Sequence, residues 1–133
     1  MWAGLLFGVS FLATPVKFAA PSLTLGVALD VGQTTFHLLV KVEWAMLLLL
    51  LAATAFARFP TLELVVLVLL AAGLAVQTFL LLPPLDERVA AIIAGETLPA
   101  SRLHLAYIAV EVLKLLALLG GAFAGIRLLR LAA

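Results

Sequence analysis

Long apolar runs with prolines near their borders constrain this chain more than any other feature. Pro15 and Pro21 flank the end of the first run, Pro60 precedes the third, Pro83-Pro84 closes it, and Pro99 leads into the last. A bilayer's hydrocarbon core of ~30 Å needs roughly 20 helical residues. Four runs reach that length, at about 2–20, 33–57, 62–82 and 103–126. The second has its apolar heart at Val42 to Ala57 and must recruit the mixed stretch before it. Only helices and closed barrels satisfy every backbone group in lipid, and the period-two alternation of a barrel strand is missing here. The expected fold is all-α: a four-helix transmembrane bundle forming one integral membrane domain over residues 1–133, with short loops and one longer linker, Leu85 to Pro99. That linker contains "LDERVAAIIAG", which reads as a short helix. Two placements stay open: an interfacial helix between spans three and four, or an extension of span three bent by the prolines.

Composition agrees. The chain is 66% hydrophobic and 11% charged, against roughly 45–50% and 25% in soluble domains. Eight Lys and Arg balance seven Asp and Glu, so the basic excess of an electrostatic nucleic-acid binder is missing. With no cysteine there are no disulfides, thiolate metal sites or cysteine nucleophiles. The opening "MWAGLLFGVSFLATPVKF" has no Lys or Arg before its apolar run, unlike a secretory signal, and reads as a retained span.

Four spans put both termini on one face of the membrane, side A, together with Arg58. The first and third loops lie on side B. Side A has Arg58, Arg127 and Arg130; side B has Lys17, Lys41, Arg88 and Arg102. The positive-inside count is nearly tied, and the two C-terminal arginines favour cytoplasmic termini.

The polar residues inside the spans fall on helical faces, where positions three, four and seven apart align. Ser10, Thr14 and Lys17 share a face of span one. Asp30, Gln33, His37, Lys41 and Trp44 form a stripe on the approach to span two and within it. Glu63 and Gln77 align on span three, and His104, Tyr107, Glu111 and Lys114 on span four. Ionisable side chains within spans usually face the bundle interior or a wet cavity and pair with one another. The expected arrangement is a polar pocket, open to side B and tapering inward, formed by Lys17, Gln33, His37, Lys41, Gln77, Arg88, His104, Tyr107, Glu111 and Lys114.

A plainer reading stands beside each. Lys17 can snorkel to the interface. Glu111 and Lys114, three apart, can simply neutralise each other. His37 and His104 lie near helix entrances and can serve as interfacial or loop-bonding residues. Glu63 suits the first turn of a helix. Trp2, Trp44 and Tyr107 suit an aromatic belt. Gly4-x3-Gly8 and Gly121-x3-Gly125 fit close helix contact, within the chain or between copies.

Chemically, two histidines on different helices admit a haem or copper site, with His37 and His104 as candidate ligands. No motif supports one, so no cofactor is expected. No G-x-S-x-G, Walker A or dinucleotide motif is present, and the chain reads as a non-enzyme.

Several segments together resemble the transmembrane protein 205-like family of four-span proteins, whose bacterial members carry a domain of unknown function (DUF4149). They are "GVSFLATPVKF", "GQTTFHLLVKVEWAML", "VQTFLLLPPLDERVAAI" and "HLAYIAVEVLKLLAL", and they cover nearly the whole chain. The family's pattern falls on Pro15, Phe18, Gln77, Pro84, Asp86, Arg88 and His104. Glu111 and Lys114 stand where several members have small or amide residues. The resemblance implies a four-span topology and a functional stake in Gln77, Arg88 and His104; it transfers no settled activity.

The expected protein is therefore a multi-pass protein of the bacterial inner membrane, with the lipid bilayer and other copies of itself as partners. The expected role is handling of a small solute, ion or metal through the side B pocket. A non-catalytic scaffold or interaction subunit is the competing class. For topology, a fluorescent protein fused after Ala133 is expected to fluoresce and an alkaline phosphatase fused there to be inactive; the opposite pair of results reverses the orientation.

Overall fold

The computed structural model describes residues 1–56 and 61–132. Ala57, the expected end of span two, and Arg58 and Pro60 lie outside the described residues. Among those described the fold is an all-α four-helix bundle: α1 (Trp2–Lys17), α2 (Leu25–Phe56), α3 (Thr61–Ile93) and α4 (Leu103–Ala132). Three of these, α2, α3 and α4, are long and apolar enough to cross a membrane, which makes this a multi-pass membrane protein.

The first helix is shorter than the expected span at 2–20. Its residues Trp2–Lys17 reach only about 24 Å at ~1.5 Å per residue. The chain leaves the helix because Phe18, Ala19 and Ala20 bond back to the carbonyls of Pro15, Val16 and Lys17 in tight turns, ahead of Pro21. Residues Phe7–Ala13 of α1 form a π-helical stretch just before Pro15. Proline has no N–H for an intrahelical bond, and a widened turn before it eases the clash with the preceding carbonyls.

The second helix starts at Leu25, eight residues before the expected span at 33. Thr24 caps it, its Oγ1 accepting from Val27 N–H at 3.4 Å. The stretch from Asp30 to Lys41 is thus continuous helix. At the start of α4, Ser101 Oγ accepts from Leu103 N–H at 3.2 Å and caps that helix.

The third helix departs most from its expected bounds of 62–82. It does not stop at Pro83-Pro84 but runs on to Ile93. The device is again a π-helical stretch, Gln77–Leu81, which places both prolines in the first turn of the helical segment after it. Proline is tolerated there. "LDERVAAII" is therefore an extension of span three. It ends in a Schellman motif: Glu96 N–H bonds Ala91 O and Gly95 N–H bonds Ile92 O, each at 3.0 Å, with Gly95 at φ 88°.

The apolar core comprises Trp2, Val40, Leu47, Leu67, Leu70, Leu74, Leu82 and Tyr107. Gly121 lets α4 approach α3, since a Cβ there would lie 3.3 Å from Val66 Cγ1. Gly4 and Gly8 face open space, so their spacing serves no contact within the described residues. Because a side chain at a left-handed position is strained, Gly95→Ala is expected to destabilise the detergent-solubilised protein by about 1 kcal/mol. Denaturant-induced unfolding followed by circular dichroism measures it; no loss would mean that the α3 terminus unravels without cost.

Candidate functional site

Burying an ionised group in an apolar bundle costs several kcal/mol unless opposite charge and hydrogen bonds meet it. This bundle buries three such groups at one level. Lys114 on α4 is 2% exposed, Glu111 on α4 1% and Glu43 on α2 fully enclosed. Lys114 Nζ lies 2.7 Å from both Glu43 carboxylate oxygens and 3.1 Å from Glu111 Oε1. Glu111 and Lys114 meet because they are three residues apart on α4. Glu43 joins them from the face of α2 that also presents Val40 and Leu47 to the core.

Neutral donors complete the cluster. Trp2 Nε1–H donates to Glu43 Oε1 at 2.9 Å. Ser10 Oγ–H donates to Glu111 Oε2 at 3.1 Å, and Gln77 Nε2–H to Glu111 Oε1 at 2.7 Å. All four helices therefore contribute a side chain. Both π-helical stretches lie at this level: Ser10 sits within Phe7–Ala13, and Gln77 opens Gln77–Leu81. Gly73 makes room for the lysine stem, since a Cβ there would stand 3.2 Å from Lys114 Cγ. Trp44 is tied nearby, its Nε1–H donating to Thr78 Oγ1 at 3.1 Å.

Two polar atoms beside the cluster have no hydrogen-bond partner among the described residues: Gln77 Oε1 and the Tyr107 hydroxyl. Tyr107 is 2% exposed, its ring edge-on to Phe36 at 5.0 Å. It lines two cavities. One, of about 270 Å³, lies between α1 and α4 and runs from His104 past Ser10 and Thr14 to Glu111. The other, of about 350 Å³, lies at the side B end and is lined by Lys17, Gln33, Asp86 and Arg88 among apolar side chains. His104, Tyr107, Thr14, Phe18 and Phe36 line both.

The structure thus divides the expected pocket residues. Gln77, Glu111 and Lys114 are in the ion cluster. Lys17, Gln33, Arg88, His104 and Tyr107 line the side B cavities. Lys41 does not belong: it projects from the bundle, because the stripe from Asp30 to Trp44 turns away from the face carrying Glu43. His37 is also elsewhere, half-exposed, its Nε2–H donating to Asp86 Oδ2 at 2.8 Å. Arg88 Nη2 donates to Pro99 O at 2.6 Å and pins the linker over α3. Among the described residues no group of three or more His, Asp or Glu converges as metal ligands, so His37 and His104 belong to no such set.

Sequence reasoning missed Glu43, the closest partner of Lys114. The signal lay in its spacing from Val40 and Leu47 and in the need of a buried lysine for a counter-ion.

No protein-family model, curated protein or solved structure matches this chain.

Removing the lysine leaves two buried carboxylates facing each other. Lys114→Met is expected to lower stability in detergent by about 3–5 kcal/mol. Glu43→Gln in the same chain restores the formal charge of the cluster and is expected to recover part of that loss. Unfolding curves for both variants test this; a Lys114→Met protein as stable as the parent would mean that the cluster is solvated.

Proposed function

We propose that this is an ion-handling membrane protein that takes up a proton or a small monovalent cation at Glu111 from side B. One observation carries the reading: two buried carboxylates share one ammonium, leaving one formal negative charge in excess. The two acids are not equivalent. Glu43 takes Lys114 on both oxygens and lines none of the cavities described, so it is the resident counter-ion. Glu111 is held by Lys114 at a longer distance and lines the cleft leading to His104. The excess charge is therefore assigned to Glu111.

An arriving proton or cation relieves the desolvation cost of that charge. Tyr107 Oη and Gln77 Oε1, unpartnered beside Glu111, supply the oxygens a hard cation prefers or a short proton path. His104 lines the outer end of the same cleft. Toward side A, Leu47, Leu70 and Leu74 pack beside the cluster, all buried to within 1%. Beyond them Glu63 lines a separate cavity of about 300 Å³ with Thr54 and Gly125. Transport would need that leucine layer to part.

A second reading has its own support. Every oxygen of Glu43 and Glu111 already accepts a hydrogen bond, as in a polar network that fixes helix register. In that case the protein is a scaffold or interaction subunit. Membership of the transmembrane protein 205-like family is part of the proposal. It is supported by the four-helix order and by the positions of Gln77, Arg88 and His104 around the site. Catalysis and a resident cofactor form no part of it.

Proteoliposomes separate the two readings. The ion-handling reading expects the parent protein to dissipate an imposed proton or sodium gradient. Glu111→Gln should cut that flux at least tenfold. Tyr107→Phe should lower it without loss of stability, since the hydroxyl satisfies no partner. A parent protein without flux in either gradient favours the scaffold.

A further inference from the structure

The side B cavity carries a different chemistry from the ion cluster. Its walls are apolar, formed mainly by Leu25, Leu29, Phe36, Leu82, Leu85 and Val89. At about 350 Å³ it is at the small end of ligand pockets. It lies where α1 ends, α2 begins and α3 continues past its prolines, at the membrane edge of the bundle. Its charged lining residues are not equally available. Asp86 is held by His37, and Arg88 donates to the Pro99 carbonyl.

Lys17 is different. Among the described residues it has no carboxylate partner and, unlike Arg88, its side chain donates to no hydrogen-bond acceptor. Its ammonium rests over Gly32 of α2, in space that a Cβ would fill, and lies 5.1 Å from the Phe18 ring centroid. An unneutralised ammonium is thus held at the mouth of an apolar cavity of one-chain size.

We propose that this cavity binds a long-chain fatty acid, its acyl chain among the α2 and α3 side chains and its carboxylate on Lys17. Three features favour this occupant. The walls offer hydrocarbon contact, the lining offers an ammonium with no acceptor of its own, and the site opens where a membrane-dissolved amphiphile arrives with its headgroup at that level. The assignment is independent of ion uptake at Glu111.

The test uses the full chain in a non-ionic maltoside detergent with oleate carrying a carbon-13 carboxyl label. One equivalent is expected to bind, seen as a shifted carboxyl resonance. Lys17→Met is expected to weaken binding at least tenfold with an unchanged circular dichroism spectrum. In the parent protein methyl oleate is expected to compete at least tenfold less well than oleate, a comparison that needs no variant to fold. Equal competition by the ester, or binding unchanged in Lys17→Met, overturns the role of the ammonium. Absence of binding overturns the site, and displacement of oleate by a lower concentration of phosphatidylglycerol overturns the choice of a free fatty acid.

Discussion

Lys114 sits between two carboxylates, almost wholly enclosed by the bundle, and the arrangement of the four helices follows from keeping it satisfied. A buried ammonium with donors on three sides has to find acceptors within a side chain's reach. It finds them on α2 and on its own helix. The carboxylates in turn draw Trp2 and Ser10 from α1 and Gln77 from α3. Apolar packing alone tolerates several rotational settings of helices in lipid, because lipid tails are as apolar as leucine. The ion cluster does not. A rotation that takes Glu43 or Gln77 out of the layer strands a charge or an amide in hydrocarbon.

The bundle differs on the two sides of this layer. Toward side A, buried leucines separate the cluster from a cavity lined by Glu63, while the side B half opens into two cavities that share His104 and Tyr107. Side B is also where α1 ends early and α3 extends past its prolines. A shortened helix next to a lengthened one leaves space between their ends. The cavities are consequences of unequal helix lengths as much as of side-chain choice.

The membrane class and the four-helix architecture were readable from the apolar runs, because lipid admits few backbone solutions. Depth along the spans groups Lys17, His37, Gln77 and His104 toward side B; of these, Lys17 and His104 line the cavities there, Gln77 joins the ion cluster and His37 bonds Asp86. What escaped was rotational phase. Asp30, Gln33, His37, Lys41 and Trp44 keep good helical spacing, yet that stripe leads away from the acid that pairs with Lys114. Near an interface a polar stripe can face water, headgroups or protein equally well, so spacing alone does not select a face. Hydrogen-bond balance was the better guide: the three N–H donors of Lys114 needed more acceptors than Glu111 supplies, and Glu43 is an acid within the apolar heart of span two. The helix limits failed at Pro83-Pro84 for a related reason. Proline marks a border only when the backbone keeps α geometry, and a π-helical turn lifts that condition.

The π-helical stretch in α3 has a consequence for how the molecule solves two alignment problems with one helix. Its inner half must aim Gln77 at Glu111, and its outer half must aim Asp86 at His37 and Arg88 at the linker. One extra residue in a turn re-phases everything beyond it by about 100° relative to an unbroken α-helix. The stretch Gln77–Leu81 thus works as a clutch between two otherwise incompatible registers. It lets the ion layer and the membrane-edge chamber be adjusted separately, although a single continuous rod carries both.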